Sequence, residues 1–140
     1  MRFFFTALLL GFAAVSFAQD PADIFHQTVD LDSITELSFD VYKDDALEFR
    51  NWPGDDILIE TSVKINNGEP FMLDFFREQN RWDLKQKQSG SSLLLVSNNK
   101  TRQPVKSKNG SLSSETVRIV VYVPEDFVDA GANRFQRQGK

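Results

Sequence analysis

No cysteine occurs in this sequence, and histidine occurs once. Without a thiol there is no disulfide, no thiolate zinc site, no thiol nucleophile and no dithiol redox centre, so packing alone must hold the core. A lone imidazole, His26, is a poor start for a zinc site, and its alternation with Phe25 and Gln27 predicts an exposed or edge position on a first strand. Motifs of familiar chemistry are missing as well. There is no G-x-S-x-G nucleophile elbow, no G-x-x-x-x-G-K phosphate loop and no G-x-G-x-x-G dinucleotide fingerprint. Basic charge is in deficit: 16 Lys and Arg stand against 20 Asp and Glu, a formal net charge of −4. Such a surface repels nucleic acid and anionic lipid. No cofactor and no metal site are expected.

The longest apolar run lies at the start. Residues 1–18 carry Arg2, an apolar stretch from Phe3 to Phe17, and small residues at Ser16 and Ala18, the positions that signal peptidase reads. This predicts an export signal cut after Ala18. The run is shorter than the roughly 20 apolar residues of a membrane span, so no stable membrane anchor is expected after cleavage. No Cys at the cut allows lipid attachment. Export without cysteine fits a bacterial envelope: periplasm, cell surface or extracellular space. The remainder suits one β-rich domain over residues 19–126, followed by a loosely held tail over 127–140.

Period-two alternation dominates the domain, the signature of strands with one buried face. Over residues 35–42, Leu37, Phe39 and Val41 alternate with Glu36, Ser38 and Asp40. The same phase runs through Ile57, Ile59, Thr61, Val63 and Ile65, and again through Trp82 and Leu84 against Arg81, Asp83 and Lys85. Residues 93–96 and 117–123 are apolar on both faces and belong mid-sheet. One stretch, residues 69–79, shifts to helical spacing. Phe71, Met72, Phe75 and Phe76 form its apolar stripe, with Asp74, Arg77 and Glu78 opposite and Pro70 in the first turn. The expected fold is mainly β: a small antiparallel two-layer sheet domain, sandwich or short solenoid-like, with one short amphipathic helix packed on it by its aromatic stripe.

Two places gather polar groups of functional type. Trp52-Pro-Gly-Asp55, followed by Asp56, reads as a type II turn with Gly54 at positive φ, making a hairpin of the flanking apolar runs and putting Asp55 and Asp56 at a solvent tip. A calcium site there, helped by Asp44 and Asp45, lacks the regular Asp or Asn spacing that calcium loops need. The second place is the long polar segment over 97–115, where Lys100, Arg102, Lys106 and Lys108 form a basic cluster on an acidic protein. It reads as an anion or acidic-polymer contact, or as an open solvated loop. Trp52, Asp55, Asp56, Lys100, Arg102, Lys106 and Lys108 are therefore the candidate binding residues, and no residue is assigned a catalytic role.

The run of residues 47–61, LEFRNWPGDDILIET, then the helix with Arg81-Trp-Asp-Leu84 after it, then Val117-Arg-Ile-Val-Val-Tyr-Val-Pro124, resembles the front portion of bacterial exported adhesin-type domains of unknown function. The resemblance covers roughly residues 39–124. It implies a β-rich, solenoid-type build and a non-enzymatic envelope or cell-surface protein that binds a glycan, protein or other envelope partner through a sheet face or loop. In that family the Val-Pro strand leads into further glycine-punctuated repeats, whereas here 16 residues follow Pro124. A short chain of strands must close on itself or lend an edge to a partner, so a homo-oligomer formed by edge pairing is a further expectation. The alternatives are an envelope carbohydrate hydrolase using paired carboxylates, and a structural assembly subunit.

Overall fold

The computed structural model describes residues 20–106 and 110–139; the segment read as an export signal lies outside them. In chain order the elements are β1 (Ala22–Val29), β2 (Glu36–Asp40), β3 (Ala46–Trp52), β4 (Ile57–Asn66), α1 (Pro70–Glu78), β5 (Leu84–Ser89), β6 (Ser92–Ser97), β7 (Ser114–Pro124), β8 (Phe127–Gly131) and β9 (Arg134–Arg137). The strands form a four-stranded sheet, β1-β4-β7-β3, and a five-stranded sheet, β5-β6-β2-β9-β8. The class is the expected one, mainly β with two layers and one short helix. Among the described residues no helix is long and apolar enough to cross a membrane.

Alternation explains the layers. In β4, Ile57, Ile59, Thr61, Val63 and Ile65 all turn inward and are buried. Each aliphatic side chain so buried contributes about 1.5–3 kcal/mol. The doubly apolar strands sit where that character demands: β7 lies between β4 and β3, and β6 between β5 and β2. Val120 and Val96, on the faces turned away from the shared core, are buried as well. Between the sheets Phe39, Phe49 and Phe135 meet edge-on, with Phe49 and Phe135 centroids 4.8 Å apart.

The pairing differs from the expectation of an antiparallel fold. β2 runs parallel to β6, with Phe39 opposite Leu95, and β3 runs parallel to β7, with Phe49 opposite Val121. The chain crosses from one sheet to the other between β2 and β3 and again, in the same sense, between β6 and β7. Two strand-loop-strand arches thus stack in register, one on the other, the first with a short connection and the second with a long one. Apolar ladders drive this: Leu37 on Leu93 and Phe39 on Leu95 in one layer, Leu47 on Ile119 and Phe49 on Val121 in the other. The hairpin expected around Trp52 is consequently split. β3 and β4 are both bonded to β7, which lies between them. The more apolar β7 gains most from the central position.

Three further expectations are corrected. The helix buries Met72 and Leu73, whereas Phe71 and Phe75 are 57% and 49% exposed. Its stripe is rotated because α1 sits at the side of the sandwich, beside the edge strands β1 and β5, instead of lying flat on a sheet. There Trp82 stacks on Phe25 at 5.7 Å and meets Phe76 edge-on at 6.2 Å. Trp82 itself stands in the turn before β5, and within that strand only Leu84 is buried. The tail expected to be loose forms the β8–β9 hairpin instead. Phe127 and Phe135 are buried, and β9 pairs with β2. Two apolar residues spaced across a tight turn were enough to anchor it.

Candidate functional site

Register fixes which side chains share the outer face of the four-stranded sheet. Across β1, β4, β7 and β3, His26, Glu60, Val120 and Glu48 form one row, and Thr28, Leu58, Tyr122 and Arg50 the next. Trp52 follows at the end of β3. Its indole lies 6.2 Å from the Tyr122 ring, and the Arg50 guanidinium sits 6.0 Å over the same tyrosine. Glu48 accepts hydrogen bonds from Arg118 and from Arg50. Arg118, and then Arg50, hold its carboxyl below the ordinary range, so it stays ionised. His26 Nε2 lies 3.3 Å from Glu60 Oε2. The result is a sheet face on which two aromatic rings and two guanidinium groups stand beside carboxylates.

The Trp52 turn is built around the indole. Trp52 Nε1 donates to the Asp56 carbonyl at 2.9 Å, tying the turn to its own start. Gly54 does not adopt the positive φ that a type II turn requires. It is needed for space: a Cβ there would sit 2.4 Å from the indole Cζ2. Asp55 is exposed and Asp56 half-buried. With Asp32, Asp126 and Arg137 they line an open cleft of about 320 Å³. Among the described residues no group of three or more acids and histidines is disposed to hold a metal.

The basic loop is divided by the fold. Arg102 leaves the cluster altogether: its guanidinium forks onto Asp45 at 2.7 and 2.5 Å, with the two side chains 4% and 3% exposed. Its plane lies 4.6 Å over the Tyr42 ring. Glu115 stands beside it, accepting from Arg81 Nε and Trp82 Nε1, each at 2.7 Å. Burial pushes the Asp45 carboxyl up, and the Arg102 fork offsets part of that shift. Asp44, accepting from the Tyr42 hydroxyl, pushes the phenol up. This cluster pins the loop after β6 to the loop after β2, so Arg102 serves the fold. Lys100 is exposed with its Nζ 2.6 Å from Asp40, and Lys106 is exposed on a short bridge to Leu112. Lys108 lies outside the described residues.

Among the described residues, Trp52 is the only one of the sequence candidates that joins the outer sheet face. Arg50, Glu48, Arg118 and Tyr122 were not singled out by sequence, although their outward phase in two period-two strands was readable. What was hidden is that β3 and β7 lie side by side. Comparison with protein-family models, with curated proteins and with solved structures finds no match to this chain.

Proposed function

We propose that this is an exported, non-enzymatic binding protein of the adhesin type, belonging to a bacterial envelope or surface, which holds a glycan against the outer face of the four-stranded sheet. The observation that carries the reading is the grouping of Trp52, Tyr122 and Arg50 with Glu48 and Arg118 on one sheet face. Tryptophan, tyrosine and arginine dominate recognition surfaces because they combine large rigid area with hydrogen bonding. An apolar sugar face packs on the rings while its hydroxyls meet guanidinium and carboxylate. The stacked arches support the adhesin-type resemblance, which implies a solenoid-type build. Support for a binding role over hydrolysis comes from the carboxylates themselves: Glu48, Asp45 and Glu115 are each engaged by arginine and not by one another.

The test is retention of the purified protein on immobilised polysaccharide from its host's envelope. Trp52→Ala and Arg50→Ala should each lower affinity at least tenfold, about 1.4 kcal/mol, with circular dichroism unchanged. Lys100→Glu with Lys106→Glu should leave retention intact. Loss of retention in the lysine pair alone would transfer the role to the loop, and failure of the parent protein to be retained would end the glycan reading.

A further inference from the structure

The two sheets do not end together. Beyond the arch strand β2, the five-stranded sheet continues into β9 and β8, whereas the four-stranded sheet stops at β3. Among the described residues, the backbone of Ala46–Trp52 bonds only to β7, so one side of this seven-residue strand is an unpaired edge. Leu47 and Phe49, on its inward face, are only half-buried while their ladder partners Ile119 and Val121 are fully covered. An open edge over a partly exposed apolar row is a template for another strand.

The other edges are closed or blunted. Over β1, Trp82 stacks on Phe25, Arg77 lies 4.7 Å above the same ring, and the Gln27 side chain exchanges two hydrogen bonds with Leu84. β5 carries Lys85 and Lys87, both exposed. The β8 ladder is interrupted between Asp129 and Gly131. These are the devices by which sheets avoid unwanted pairing; β3 has no covering ring and no ladder interruption, and its charges, Glu48 and Arg50, are of opposite sign.

We propose that β3 pairs antiparallel with β3 of a second copy about a two-fold axis through Phe49, joining two four-stranded sheets into one. The sequence of the strand, Ala-Leu-Glu-Phe-Arg-Asn-Trp, selects both partner and register. With the axis at Phe49, Glu48 faces Arg50 of the second copy and Arg50 faces its Glu48, on the outer face; Phe49 meets its own copy within the core layer. Residues directly opposite across an antiparallel pair interact most strongly, and opposite charges there are favourable. Centring the axis on Glu48 or on Arg50 sets like charges against each other and shortens the paired length. Both side chains, together with Arg118, are about half exposed, and they already form one charge cluster beside the axis, where Glu48 accepts from Arg50 and Arg118. A strand that presents one patch to itself forms an isologous, closed dimer and not a fibre.

Light scattering over a concentration series of the purified protein decides this. The parent chain should show twice its chain mass at high concentration, with the amides of residues 46–52 protected from exchange. Arg50→Glu, an exposed substitution, should be monomeric with an unchanged circular dichroism spectrum. Inverting every sign in the cluster, with Glu48→Arg, Arg50→Glu and Arg118→Glu together, keeps the pairing within the chain and should restore the dimer. A monomer at every concentration, or a dimer that survives Arg50→Glu, overturns the proposal. A sign-inverted chain that stays monomeric overturns the register about Phe49.

Discussion

Arg102 and Lys106 stand four positions apart in the same polar loop, yet they differ in every physical respect. Arg102 is enclosed, forked onto Asp45 and flattened on Tyr42, while Lys106 is exposed. Removing one partner of a buried pair leaves the other charge desolvated and alone, a loss of about 3–5 kcal/mol. Arg102→Ala should therefore lower the urea midpoint steeply, whereas Lys106→Ala should stay within about 0.5 kcal/mol of the parent, as surface changes do. Equal behaviour of the two would mean that Arg102 does not pin the loop. The residue type was readable in sequence, but its partner was not: Asp45 lies 57 positions earlier, and they meet only because the two arches stack.

At the level of elements, the contact between β3 and β7 carries a pH signature. Arg118 and Arg50 hold Glu48 below its ordinary value of 4.5. A carboxyl depressed in the folded state contributes stability that is fully present above its unfolded value and is lost as pH falls through the folded one. Thermal unfolding followed from neutral pH down through 4.5 and lower should show this loss, and Glu48→Gln should flatten that part of the profile. A parallel profile in both proteins would remove Glu48 from the account.

The helix gives a second test at this scale. Its apolar periodicity identified α1 correctly, but periodicity alone does not tell a helix which neighbour it meets. Because α1 sits beside the edge strands β1 and β5, Met72 and Leu73 are inside and Phe75 is out. Met72→Ala should cost about 2–5 kcal/mol, and Phe75→Ser should be nearly neutral, measured by denaturant midpoint. The reverse order would restore the flat packing that the aromatic stripe first implies.

For the molecule as a whole, the β8–β9 hairpin decides whether the sandwich is closed. Phe135 packs against both Phe39 and Phe49, and β9 covers the edge of β2. Phe135→Ala should cost about 3–5 kcal/mol, read as a lowered unfolding midpoint with faster amide exchange in β2. A neutral outcome would make the hairpin an ornament and not part of the core. From sequence, residues 127–140 look like a polar tail, since Phe127, Val128 and Phe135 with two alanines, spread among glycine and charge, make a weak pattern. They become structural only because the first arch leaves a strand edge and an aromatic pair open beside them.

Alternation of apolar and polar side chains is a local property, and it alone determined that this chain is built of half-buried strands, that β6 and β7 lie inside their sheets, and that a short helix interrupts them. Which strand lies beside which is not local. The parallel stacking of the arches, the splitting of β3 from β4, the enclosure of Arg102 and the assembly of Trp52, Arg50 and Tyr122 on one face all depend on contacts between residues far apart in the chain. They were decided by tertiary structure, because only the closing of two layers over a shared core sets the register that brings those side chains together.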